Sequence, residues 1–217
     1  SDTLGGNINS LNSVSGAFNH RAYFNQLASK IYEHPRIKIL FNSTVTEFDG
    51  FKGNFTSRIE NILTGEKQVI HHGATVLATG IMESHPDEHL YGSDPRIMTQ
   101  QDFENSAKNN KIQFDALESV VMIQCVGSRN DTRPYCSRIC CTTALKNALT
   151  LKSHNKNLDI TILYRDIRVY GKNEKIYSQA KQAGVRFYRY QENQLPLVSL
   201  KDKKIIVSGH SLISVPE

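Results

Sequence analysis

A chain of 217 residues with 39% hydrophobic and 22% charged residues can form one large globular domain or two of medium size. No apolar run approaches the roughly 18 to 20 residues of a membrane span, and the first residues, SDTLGGNINSLNS, lack the basic and apolar regions of an export signal. The net charge of +5 is uneven: Val121 to Tyr190 carries 13 Lys and Arg against 4 Asp and Glu, with no zinc-finger, helix-turn-helix or RNA-binding aromatic motif, which points away from nucleic acid and towards a cofactor-compensating or partner-facing surface.

In chain order, Leu4-Gly5-Gly6 precedes an Asn/Ser/Gly-rich connection, and Arg21 to Glu33 places Tyr23, Phe24, Leu27, Ile31 and Tyr32 at helical spacing. Pro35 ends that helix. Strands are expected at Ile37–Phe41, Thr44–Phe48, Asn54–Ile62 and Lys67–His71, punctuated by Gly50, Gly53 and Gly65, which makes a small antiparallel meander. His71 and His72 point to opposite faces of such a strand, which argues against joint metal binding. The run Gly73 to Gly80, GATVLATG, reads as a buried strand ending in a small-residue turn, a place where backbone can come close to another group.

Tyr91 to Lys111 joins the two halves and includes a helix at Gln100–Lys108 capped by Thr99. Thereafter the pattern predicts a strand at 120–125, a helix at 140–153, a strand at 159–165, a helix at 173–183 and a strand at 185–190. This β-α-β-α-β order implies a parallel sheet with right-handed crossovers. LPLVSL and KKIIV add strand-like pieces around the polar turn Lys201 to Lys203. Arg165, Asp166 and Arg168 follow the second strand, where a dinucleotide fold often recognises ribose, although a loop ion pair is the simpler reading. Tyr170-Gly171-Lys172 fits a turn before a helix. No spacing supports a nucleophile with its base, so no catalytic residue is assigned.

Every cysteine lies in one stretch of 17 residues: Cys125, Cys136, Cys140 and Cys141, spaced C-x10-C-x3-C-C, at a strand-to-helix crossing. In a dinucleotide-binding unit that crossing carries a glycine-rich loop for a pyrophosphate. Here only Gly127 is present, and thiols stand in place of the glycines. A disulfide framework belongs to small secreted domains. Structural zinc favours two separated C-x2-4-C knuckles, which the adjacent pair Cys140-Cys141 suits poorly. An iron–sulfur cluster tolerates irregular spacing, and a helix N-terminus with Arg129, Arg133 and Arg138 nearby would favour thiolates. Ordinary buried helix cysteines are the remaining reading.

The run from QCVGSR through YCSRICC, TALKNALTLK and LYRDIRVYGKNEKIYSQA to GVRF resembles the flavin and iron–sulfur subunit of heterodisulfide reductase, a component of anaerobic electron-transfer complexes. It equally resembles the related flavoprotein subunit of the quinone-interacting membrane-bound oxidoreductase complex. The resemblance covers about Arg21 to Tyr190. It implies a [4Fe–4S] cluster ligated by Cys125, Cys136, Cys140 and Cys141, an oxidoreductase subunit in the cytoplasm, and iron–sulfur partner subunits, with a homo-oligomer left open.

The order LGG, helix, strand, meander, VLATG is also similar to the flavoproteins of the thioredoxin and glutathione reductase type. That similarity implies an α/β fold of two dinucleotide-binding-like units and places FAD contacts at Gly5, Gly6, Val45, Thr79 and Gly80. No G-x-G-x-x-G motif occurs in the sequence, which removes the main pyrophosphate cradle. The expectation is therefore a partial FAD-binding domain at 1–115, lacking its first strand and helix, and a Rossmann-like unit at 116–217, truncated at its C-terminus. FAD is expected in the parent protein rather than in this chain alone. In related reductases the second unit binds a nicotinamide nucleotide, and cysteines in its loop imply exchange of a hydride site for an electron relay. The alternative is a structural or docking module, with zinc or no metal, that binds an acidic partner through the basic lobe.

Overall fold

The computed structural model describes residues 1–9, 20–209 and 213–214. The connection at 10–19 and most of 210–217 lie outside the described residues. The chain is a mixed α/β protein of two compact units divided between Met82 and Glu83, earlier in the chain than the expected boundary at 115.

The first unit opens with a 3-10 turn, Gly6–Asn9, and then α1, His20–Glu33. Helix α1 ends directly before His34-Pro35, as the proline requires. It buries Ala28, whereas Tyr23, Leu27 and Tyr32 stay largely exposed. Strands β1, Ser43–Phe51, β2, Asn54–Asn61, and β3, Lys67–His72, form the expected antiparallel meander in the order β1-β2-β3. The β1–β2 hairpin closes at Phe51 opposite Asn54, and Gly50 sits at φ 106° where an added Cβ would lie 2.2 Å from the Asn54 carbonyl. Only glycine fits there. The β2–β3 loop is an Asx turn in which Asn61 Oδ1 accepts from the amides of Leu63 and Thr64 at 2.9 and 3.1 Å. His71 and His72 do face opposite ways, hydrogen bonded to Thr56 and Ser57 respectively.

Two expected strands do not form. Residues 37–41 are irregular, and the Phe41 carbonyl is taken by the Ser43 hydroxyl at 2.8 Å and the Asn61 side chain at 3.5 Å. Residues 74–80 carry no strand either, and Val76 and Leu77 are 89% and 86% exposed rather than buried. The ladder reaches only as far as Gly53 donating to the Gly73 carbonyl at 3.0 Å. A strand needs a neighbour for its backbone groups, and among the described residues none pairs with 74–80.

The second unit is built on three parallel strands, β4, Ser119–Ile123, β5, Asp159–Tyr164, and β6, Arg186–Arg189, in that spatial order. A two-residue strand, β9 at Ile213–Ser214, pairs antiparallel with β6. Helix α3, Cys140–His154, connects β4 to β5, and α4, Glu174–Gln182, connects β5 to β6. Strands β7, Leu197–Lys201, and β8, Lys204–Ser208, form a separate hairpin. Its turn residues Asp202 and Lys203 have φ of 49° and 62°, as a tight two-residue turn demands.

Apolar spacing dictates the core. On α3, Ala144, Leu145, Ala148 and Leu151 face Ile160 and Ile162 of β5, Met122 of β4, and Phe187 of β6 in one cluster. Leu145, Leu151, Leu158, Ile160 and Ile162 are fully buried, each worth about 1.5–3 kcal/mol relative to exposure. No described helix is long and apolar enough to cross a membrane.

Helix α2, Gln100–Lys108, belongs to this unit and begins with a reciprocal capping box. Thr99 Oγ1 accepts from the Asp102 amide at 3.1 Å, and Asp102 Oδ2 accepts from the Thr99 amide at 3.2 Å. Asp102 also accepts from the Tyr91 hydroxyl at 3.0 Å. Replacing Thr99 by Ala is expected to destabilise the unit by about 1 kcal/mol, measured by urea unfolding, with Thr99→Ser close to the parent protein.

Glu104 of α2 is only 4% exposed. Burial pushes its carboxyl up to about 7, an effect opposed by Lys146 and reinforced by Glu83. The folded chain therefore keeps a proton that the unfolded chain has released, so stability falls as pH rises from about 4.5 to about 7. Glu104→Gln is expected to flatten that fall, matching the parent near pH 4.5 and exceeding it by about 1–3 kcal/mol at pH 8 in urea titrations at both pH values.

Candidate metal centre

Four free thiols stand just past β4 (Cys125), in the loop that follows (Cys136) and on the first turn of α3 (Cys140 and Cys141). No disulfide forms among them. Between the two elements the chain runs as turns without regular structure, and Cys125, Arg129 and Arg138 adopt φ of 63°, 59° and 61°. Such left-handed conformations are uncommon outside glycine and persist where surrounding contacts enforce them.

Those contacts are visible. The Ser128 amide donates to the Cys125 carbonyl at 3.2 Å, and the Arg129 amide donates to the Arg133 carbonyl at 2.7 Å. Asn130 Oδ1 accepts from the Arg133 amide at 2.8 Å, and Arg133 Nη1 donates to Ser84 Oγ at 2.5 Å. Arg165 reaches across from the end of β5 to donate to the Arg129 carbonyl at 2.7 Å. The Arg129 guanidinium forks between Asp166 Oδ2 at 2.7 Å and Cys125 Sγ at 3.8 Å.

The thiols differ in environment. Cys140 opens α3, whose N-cap Ile139 offers no side-chain cap, so first-turn amides are free to turn towards its sulfur. The hydrogen bond with Cys141, the Ser137 hydroxyl and those amides together hold the Cys140 thiol down at about 6, against the effect of burial. The same hydrogen bond, with burial, pushes Cys141 up strongly. Cys141 Sγ lies 3.7 Å from the Asp166 carbonyl oxygen. Burial raises Cys125, partly offset by Arg129, and Cys125 and Cys140 act on each other electrostatically. Cys136 Sγ accepts from the Arg138 amide at 3.3 Å. Among the described residues, no three His, Cys, Asp or Glu side chains are gathered closely enough to hold a metal ion as they stand.

The donor set nevertheless fits an iron–sulfur group in its chemistry. It offers four sulfur donors, one already acidic, with amide N–H groups and an arginine directed at sulfur. Gln124, next to Cys125 in the chain, is 2% exposed, and its Nε2 has no hydrogen-bond partner among the described residues. Neither Gln124 nor the link from Arg129 to Asp166 carries a sequence signal, because each depends on packing between distant segments.

A cleft of about 380 Å³ adjoins the centre, lined by Arg129, Arg165, Asp166, Arg189, Tyr190 and Glu192 among others. Asp166 is shared by Arg129, Arg189 at 3.4 Å and Arg168 at 3.8 Å. The Arg165, Asp166 and Arg168 segment is thus an ion-pair loop.

The positions expected to contact flavin lie in the first unit. Gly5 has φ 107°, and a Cβ there would meet the Phe24 ring at 2.7 Å, so the space beside it is filled by protein. Gly6, at φ 46°, begins the 3-10 turn, and Thr79 and Gly80 lie in the exposed stretch. Asn7 Nδ2 donates to the Ile81 carbonyl at 2.8 Å, which brings the Gly5-Gly6 and Thr79-Gly80 segments together. Val45 stands in β1 opposite Ile59, next to a bulge.

No protein-family model matches the chain. The A subunit of the ferredoxin:CoB-CoM heterodisulfide reductase of Methanosarcina acetivorans is 32% identical over 151 residues, 68% of this chain and 19% of that protein. The A subunit of the H(2)/formate:CoB-CoM heterodisulfide,ferredoxin reductase of Methanococcus maripaludis is 50% identical over 78 residues, 34% of this chain and 12% of the relative. The iron-sulfur A subunit of the CoB--CoM heterodisulfide reductase of Methanocaldococcus jannaschii is 51% identical over 74 residues, 32% of this chain and 11% of the relative. The chain thus spans a fifth or less of the length of these relatives. Over the residues it shares with them, the chain is a relative of the A subunits of the heterodisulfide reductases.

Proposed function

We propose that the chain is the part of a heterodisulfide reductase-like oxidoreductase subunit in which Cys125, Cys136, Cys140 and Cys141 ligate a [4Fe–4S] cluster. One observation carries the reading: all four thiols occupy the loop and helix start that a dinucleotide-binding unit would give to glycines and a pyrophosphate. The similarity to a relative named as an iron-sulfur subunit supports it. The cluster supplies one-electron chemistry, and the protein supplies its ligands, its surrounding charge and its distance from donor and acceptor.

In this proposal the ligands are gathered as metal binds, because thiols unlinked by metal repel one another once deprotonated and the loop between Cys125 and Cys140 is free of regular structure. The arginines at the C-terminal ends of the parallel strands offset the negative charge of a thiolate-bound cluster. The two units are the dinucleotide-binding-like pair of a flavoprotein, and electrons pass between FAD in the parent protein and the cluster, then on to iron–sulfur partner subunits in the cytoplasm. Gly5, Gly6, Val45, Thr79 and Gly80 are the flavin-facing positions, which require further groups to complete the cradle.

Iron, sulfide, zinc and flavin analysis of anaerobically prepared protein, with its visible spectrum, tests this. About four irons and four sulfides per chain are expected. Zinc, or no metal after reconstitution with iron and sulfide, overturns it in favour of a docking module for an acidic partner.

A further inference from the structure

We propose that Arg129 is the positioning residue of this centre: pinned by Asp166, its guanidinium fixes Cys125 and supplies a positive charge that sets the reduction potential. The inference rests on the iron–sulfur reading above and extends it to a residue outside the ligand set.

Three observations meet at Arg129. Its side chain is only 17% exposed, and its two terminal nitrogens serve different partners, Asp166 Oδ2 at 2.7 Å and Cys125 Sγ at 3.8 Å. Its backbone is locked at both ends, the amide on the Arg133 carbonyl and the carbonyl under Arg165 Nη1, each at 2.7 Å. That double anchoring maintains the left-handed φ of 59°. Asp166, in turn, receives Arg129 on its carboxylate, and its carbonyl oxygen lies 3.7 Å from Cys141 Sγ. Residue 166, just past the end of β5, thereby lies beside both the arginine that holds Cys125 and the sulfur of Cys141.

The other loop arginines are placed differently. Arg133 bonds Ser84 Oγ and the Gly127 carbonyl through its guanidinium, and Arg138 approaches Cys136 through its backbone amide. A buried cation beside a ligating sulfur favours the more negative, reduced state of a cluster and so raises its potential. The planar fork is needed to hold carboxylate and sulfur at once, which a lysine ammonium cannot do at two separated sites.

The test uses the whole chain reconstituted anaerobically with iron and sulfide, and the parent is compared with Arg129→Gln and Arg129→Lys. Arg129→Gln is expected to shift the midpoint in an EPR-monitored redox titration to more negative potential and to lose iron about tenfold faster under chelator. Arg129→Lys is expected to restore the potential while iron loss stays fast. An unchanged midpoint in Arg129→Gln, or a lysine variant that fails to restore it, overturns the charge role. In the metal-free chain, amide exchange across 125–129 is expected to be about tenfold faster in Arg129→Gln, and unchanged exchange overturns the positioning role. Parent protein that takes up no iron and sulfide overturns the cluster reading alone, since the exchange measurement needs no metal.

Discussion

Cys140→Ala is expected to abolish the visible absorbance of the reconstituted centre and to leave less than about a tenth of the parent's iron and sulfide, with the far-UV circular dichroism unchanged. Cys140 is the thiol that the fold itself prepares. It opens α3, where backbone amides lack a side-chain cap, and the Cys141 hydrogen bond and Ser137 hydroxyl add to them, holding the thiol down at about 6. A thiol held down in this way reaches more readily the thiolate form that binds iron. Alanine keeps the helix, because it is the better helix former at an uncapped first turn. Full iron content and an unchanged spectrum in Cys140→Ala would remove this residue from the ligand set. A substitution of Ser137 tests the preparation rather than the ligand: Ser137→Ala removes one of the groups that stabilise the thiolate, so it should slow cluster assembly while leaving its final stoichiometry intact.

The second unit was legible because its signals are local. Thr99 announces the start of α2, and the structure adds Asp102 as the other half of a reciprocal capping box. The alternation of β4, α3, β5, α4 and β6 follows from runs of apolar residues whose spacing changes from strand to helix, and the observed bounds lie within a few residues of those expected. The strands at 37–41 and 73–80 misled for the complementary reason. VLAT has strand composition, yet composition cannot supply the neighbour that would take its backbone hydrogen bonds, and the segment is exposed where burial was expected.

The candidate site divides along the same line. The cysteines lie within 17 residues of one another in sequence and declare a thiol centre by themselves. Asp166 is 37 residues from Arg129, and only the parallel pairing of β4 with β5 brings the end of one strand beside the loop that follows the other. Arg129 could be read from sequence as one nearby cation among three; its distinction from Arg133 and Arg138 is a matter of backbone conformation and packing. Gln124 likewise reads as an ordinary residue at a strand end, and the structure buries its side-chain amide without a partner among the described residues. Part of the basic lobe also acquires an address: Arg129, Arg165, Arg168 and Arg189 pair with Asp166 or Glu192 at one end of the sheet, beside the thiols.

Leu145→Ala is expected to destabilise the second unit by about 2–5 kcal/mol, the range for removing a fully buried leucine from a packed core. Leu145 has no solvent exposure and lies on α3 one turn beyond Cys141, within the cluster that joins the helix to β4, β5 and β6. The cavity left by its side chain cannot be filled by Ala144 or Ala148, the small residues beside it on the same helix. Urea unfolding followed by far-UV circular dichroism should show a lower midpoint with little change in slope, because the surface exposed on unfolding is nearly the same. Leu149→Ala, at a partly buried position packed against the same cluster, should lose distinctly less. Since α3 carries Cys140 and Cys141 on its first turn, the variant should also lose iron faster under chelator than the parent. Equal midpoints for Leu145→Ala and the parent would show that α3 is not packed on the sheet as described, and would remove the support on which the cysteine pair stands.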